Sequence, residues 1–152
     1  MEALVEYVFG TYPSWSHLVV RIALGVIFFA HGAQKTFGWF GGHGLSATIS
    51  GFRQLNVPAA ATALAAFTEC FGGLALIVGV LARPTAIGLI LVMLVAIAKV
   101  HGKHGFFLNF AMTPGKGHGY EFNLALIALA LSILIGGAGV FSIDRLIAPF
   151  GG

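Results

Sequence analysis

The chain is poor in charge and in cysteine, and each shortage excludes something. Only 9% of its 152 residues are Asp, Glu, Lys or Arg, where a soluble domain carries about 25%. Too few charges exist to cover a surface facing water, so lipid must cover much of it. Cys70 is the single cysteine. No intramolecular disulfide and no C-x-x-C pair can form, which excludes a dithiol oxidoreductase acting alone. Cys70 lies in an apolar segment and reads as a buried, inert thiol. The net charge of +3 is small and the eight Lys and Arg form no run, so nucleic acid is not an expected partner. The first residues are not a secretory signal, because Glu2 and Glu6 stand where Lys or Arg belongs. "GKGHG" (115–119) lacks the G-x-x-x-x-G-K-[ST] pattern of a phosphate loop, and no metal site is expected.

Apolar and small residues fill the space instead. The chain is 58% hydrophobic, with 14 Phe and 22 Gly, the glycine content suiting helices packed closely in lipid. A membrane-spanning helix needs ~20 mostly apolar residues. Four segments qualify, at roughly 17–37, 58–81, 84–101 and 120–140. Pro58 and Pro84 stand where helices begin, and the short "LARPTA" turn makes the second and third segments antiparallel neighbours. Between the first two, Leu45, Ile49, Phe52 and Leu55 recur at helical spacing and predict a short amphipathic helix at the membrane surface. The expected fold is all-α: one integral membrane four-helix bundle, residues 1–152, with a short interfacial helix between helices one and two. Tyr7, Tyr12 and Trp15 on one side and Trp39 and Phe40 on the other fit aromatic belts.

An up-and-down arrangement brings the end of helix one, the end of three and the start of four to one membrane face. That face gathers His31, Gln34, Lys35, Lys99, His101, Glu121 and Asn123, the candidate ligand-binding cluster, with His104 and His118 nearby. Lys35 and Lys99 could instead snorkel to the headgroups. Glu69 stands apart, near the middle of helix two, where a lone carboxylate costs on the order of 3 kcal/mol. It shares a stripe with Thr62, Ala65, Ala66 and Gly73 that points into the bundle. Arg21 approaches from the opposite face and is the candidate partner, making Arg21 and Glu69 an intramembrane charge pair.

These residues also carry a resemblance. Arg21 followed by "GVIFFAHGAQKTFGWFGG", then "ECFGGLALIVGVLARPTAIGL", then "HGYEFNLALIALALSILIGGAGVFSIDRLI" resembles the DoxX family of small bacterial membrane proteins. The marks are H-G-x-x-K closing helix one (His31, Gly32, Lys35), a glutamate before a glycine pair (Glu69, Gly72, Gly73) and a G-x-G-x-x-S-x-D tail (Gly137, Gly139, Ser142, Asp144). The resemblance implies a multi-pass protein of the bacterial inner membrane. It also implies kinship with the membrane subunit of thiosulfate:quinone oxidoreductases, and with proteins linked to oxidative-stress or thiol-redox complexes.

Three functions compete. The first is a quinone-handling redox subunit, in which His31, Lys35 and Glu121 bind or protonate a quinone or another apolar small molecule among Phe28, Phe37, Phe106 and Phe107. Electrons would come from a soluble redox partner or a bound cofactor. Haem held by His31 and His101 is an alternative cofactor to quinone. The second is a membrane scaffold for soluble redox or oxidative-stress enzymes. The third is a small proton-coupled transporter or channel gated by Glu69 and Arg21, for which four helices give little room without a homo-oligomer.

Overall fold

The computed structural model describes residues 2–148, and every regular element among them is helical. Seven α-helices follow in chain order: α1 (Glu2–Phe9), α2 (Trp15–Phe37), α3 (Gly44–Arg53), α4 (Ala59–Val78), α5 (Ala82–Ala96), α6 (Glu121–Gly136) and α7 (Ile143–Ile147). A π-helical turn, Ile97–His101, and a 3-10 turn, Gly102–His104, extend α5. Three helices are long and apolar enough to cross a membrane: Trp15–Phe37, Ala59–Val78 and the continuous Ala82–His104. α6 is apolar but shorter, at 16 residues.

The ends of the helices are set by specific groups. Ser14 caps α2 by accepting the His17 N–H at 3.3 Å. Gly38 closes α2 in the left-handed region, at φ 75°. α5 starts two residues before Pro84 because the Asp144 carboxylate, projecting from α7, accepts the Leu81 and Ala82 N–H groups at 2.7 and 2.8 Å. Such a carboxylate satisfies donors that a helix start otherwise leaves open. Burial pushes the Asp144 carboxyl above its ordinary value, while those two N–H bonds and the charges of Arg21 and Arg83 pull the other way. α6 stops at Gly136, short of the expected residue 140, because Gly137 turns the chain at φ 78°.

The central feature is the close contact of α2 with α4. A Cβ on Gly32 would run into the backbone of Cys70, and one on Gly73 into the backbone of Phe29. Small residues of this kind let helix backbones touch, which is how helices associate where lipid removes the hydrophobic drive. The contacts fix an antiparallel register in which Gly32 faces Cys70, Gly25 faces Ile77 and the Thr36 hydroxyl donates to the Ala66 carbonyl. α5 packs on α4, α6 packs on α5, and α6 returns to α2. Leu24, Phe28, Leu76, Leu89 and Ile133 meet in the buried centre. α3 lies across α2 and α4.

Candidate functional site

The register decides which charges can meet. Residues of α2 face those of α4 in descending order, so Arg21 lies level with the chain just past the end of α4. Glu69 is seven residues before the Leu76 carbonyl that Arg21 holds, roughly 10 Å along the axis. The Arg21–Glu69 pair therefore does not form. Arg21 is 1% exposed, and among the described residues its hydrogen bonds all go to backbone carbonyls: Leu76 and Ile77 at 2.6 Å, Ala138 at 2.9 Å, Phe141 at 3.0 Å and Val140 at 3.5 Å. The first two are carbonyls of the last turn of α4, where helical donors run out and a cation is attracted; the Leu76 carbonyl also accepts the Gly79 N–H at 3.2 Å. Arg21 thus ties α4 to the turn after α6.

Glu69 pairs with Lys35 instead. The Lys35 ammonium reaches both carboxylate oxygens, at 2.6 and 2.5 Å. The Glu69 side chain is 2% exposed and that of Lys35 31%. One turn of α2 separates Lys35 from the Gly32–Cys70 contact, so the closest approach of the two helices also sets the height of this pair.

The pair borders a partly open chamber of about 510 Å³ walled by α2, α3, Glu69 of α4, the end of α5, the loop after it, and α6. Four residues of the expected cluster line it: His31, Lys35, His101 and Asn123. His118 joins them, with Phe28, Phe52, Met93, Phe122 and Leu126 as apolar wall. The other three expected residues lie elsewhere. Gln34 donates to the Phe40 carbonyl at 3.0 Å and lines a separate hollow beside Gly41–His43. Lys99 is exposed on the π turn. Glu121 accepts the Leu108 N–H at 2.8 Å and so pins the loop over the chamber. Of the phenylalanines expected around a ligand, Phe28 lines the chamber, whereas Phe37, Phe106 and Phe107 do not.

The hydrogen bonds assign tautomers. His101 Nδ1 lies 3.0 Å from the His118 carbonyl. A carbonyl only accepts, so Nδ1 donates and Nε2 is left with the lone pair in the neutral ring. His118 Nδ1 accepts the Asn109 N–H at 3.2 Å, which puts the proton of the neutral ring on Nε2. His31 is exposed and has no hydrogen-bond partner among the described residues. The Asn123 amide, buried, donates to the Met93 sulfur at 3.4 Å. The chamber therefore combines a cation, a ring donor, a ring acceptor and an unengaged imidazole in an apolar volume. His104 faces Gly117, whose N–H it accepts at 3.3 Å. No group of three or more metal-ligating side chains occurs among the described residues.

One further chamber residue was within reach of the sequence and a second was not. Phe52 belongs to the apolar stripe of α3 and meets the chamber where that stripe crosses α2. His118 stands just before α6, but its contribution depends on the fold of the 105–120 loop, which no periodicity encodes.

No curated protein and no solved structure matches the chain. The family model described as DoxX matches residues 16–102. That stretch holds α2 through the π turn, and with it the Gly32–Cys70 contact, the Lys35–Glu69 pair, His31 and His101; the G-x-G-x-x-S-x-D tail lies outside it. The match covers more than half of the chain, and with three helices of membrane-spanning length this is a membrane protein that belongs to the DoxX family.

Proposed function

We propose that the protein binds the head group of a quinone in the 510 Å³ chamber and serves as the membrane subunit of a quinone-linked redox system in the bacterial inner membrane. The observation that carries this reading is the composition of the chamber: Lys35, His31, His101, His118 and Asn123 set among Phe28, Phe122 and Leu126. A quinone ring needs an apolar slot and a few placed polar groups for its two carbonyl oxygens. Lys35 and the Nε2–H of His118 are donors of that kind. Reducing each quinone to the quinol takes two electrons and two protons, one proton to each former carbonyl oxygen. His31, open on one side and lining the chamber on the other, suits the delivery of those protons. The electrons come from a partner subunit or a second cofactor, since the chain's one thiol is buried.

In this reading α6 is the fourth span. Its 16 residues reach about 24 Å, against about 30 Å of hydrocarbon. The buried 137–140 turn beyond it and local bilayer thinning make up the difference.

Mass spectrometry of an organic extract from the gently purified protein tests the proposal, against a detergent-matched control membrane protein. An enriched quinone, lost in His31→Ala and Lys35→Met variants that still fold, supports it. An enriched haem redirects attention to His31 and His101, and an extract with nothing enriched counts against ligand binding. A scaffold for soluble redox enzymes is the second reading. It is favoured by the loop over the chamber, whose Phe107, Phe110 and Met112 are 71%, 82% and 73% exposed.

A further inference from the structure

Beside the chamber lies a second cavity of about 310 Å³, in the cleft between α4 and α5. Its walls are small or aliphatic, with Ala61 and Ala65 on α4 facing Leu91 and Val95 on α5. At its far end a Cβ on Gly88 would come within 3.1 Å of the Thr68 methyl. The rim residues Leu64 and Leu91 are 67% and 58% exposed on helices of membrane-spanning length, so the cleft opens sideways toward lipid. Its inner end is polar. Lys35, Glu69, Phe52 and Ala96 line both this cleft and the chamber, which makes the ion pair the seam between them.

We propose that the cleft is the side passage for the hydrocarbon tail of the chamber's ligand. This rests on the quinone reading and adds to it that the ligand is an amphiphile drawn from the bilayer. Its head passes the Lys35–Glu69 pair into the chamber while its tail lies between α4 and α5. The polarity gradient supports this, with charge at the inner end and hydrocarbon at the rim. The small residues support it too, since bulkier side chains at Ala61 or Ala65 would close the cleft. Lipid tails are as apolar as the cleft wall, so the tail gains little affinity by entering it. The cleft acts by geometry: it lets a tailed molecule seat its head without dragging the tail through polar space.

The test compares a decyl-tailed benzoquinone with its tail-less parent, bound to the full chain in lipid nanodiscs, with affinities corrected for partition into lipid. Ala65→Phe should raise the Kd of the tailed ligand at least about tenfold and leave that of the tail-less one within about twofold. Ala61→Phe, at an exposed position on the same wall, repeats the test where folding is not at stake. Equal weakening of both ligands, or no effect on either, overturns the passage while leaving the quinone reading intact. Wild-type protein that binds neither ligand overturns the quinone reading and the passage with it.

Discussion

Removing Lys35 should cost the fold more than neutralising Glu69, although each change breaks the same ion pair. The reason is unequal burial: the Glu69 side chain is 2% exposed and that of Lys35 31%. Lys35→Met leaves a carboxylate enclosed between α2 and α4 with no cation, and breaking a buried pair this way costs about 3–5 kcal/mol. Glu69→Gln leaves an ammonium that can turn toward the open side of the chamber, a loss of about 1 kcal/mol, as for a partly exposed pair. The double variant strands no charge and should recover about 2 kcal/mol relative to the sum of the singles. Unfolding by sodium dodecyl sulfate in mixed micelles, followed by circular dichroism, measures all four proteins. Equal losses in the two single variants, with a double variant equal to their sum, would refute the pairing. Arg21→Met combined with Glu69→Gln is the control and should be additive within about 0.5 kcal/mol.

Arg21→Lys should destabilise nearly as much as Arg21→Met, by about 3 kcal/mol in the same titration, because one ammonium cannot span both the end of α4 and the 138–141 turn as the planar guanidinium does. Gly32→Val should push α2 off α4 at a cost of about 3 kcal/mol or more, read as lost expression of folded protein, whereas Gly41→Ala, where an added Cβ meets nothing within 4 Å but φ is positive, should cost about 1 kcal/mol. Glu121→Ala releases the Leu108 amide, so hydrogen exchange should quicken across residues 105–120 and stay unchanged in α4. Because burial raises the Asp144 carboxyl above its ordinary 3.8, the folded state holds that proton more tightly than the unfolded state does. Stability should therefore fall as pH rises from 3.8 to the raised native value and level off above it, and Asp144→Asn should remove that slope.

Much of the fold was legible because lipid makes sequence patterns stark. Apolar runs, prolines at helix starts and the stripe of α3 all correspond to helices. The need of Glu69 for a partner was legible too, since a mid-helix carboxylate in an apolar segment demands one. Its identity was not. Counting residues from the helix ends places Arg21 and Glu69 at converging depths, but the register is set by where two backbones touch, at Gly32 against Cys70 and Gly73 against Phe29. That contact lifts Lys35 to Glu69 and leaves Arg21 beyond α4, beside carbonyls that no side-chain pattern announces. The cluster divided for a similar reason. His31, Lys35 and Asn123 sit inside regular helices whose faces can be counted. Lys99 sits on a π turn, Glu121 is taken by the folded loop, and Gln34 by the chain that turns back after α2.

That π turn has a consequence for how this site varies among relatives. A π turn closes its hydrogen bonds one residue later than an α turn does, so Ile97–His101 amounts to a single inserted residue that the helix absorbs without breaking. Deleting one residue there, Ala98 for example, would let α5 run on as an ordinary α-helix. The wide turn already takes up the extra residue, so everything after the deletion would keep nearly its direction around the axis and His101 would stay on the chamber wall. A gap of one position at this turn in an otherwise matching homologue would thus keep both the architecture and the chamber, whereas the same gap elsewhere in α5 would turn the residues after it by about 100°.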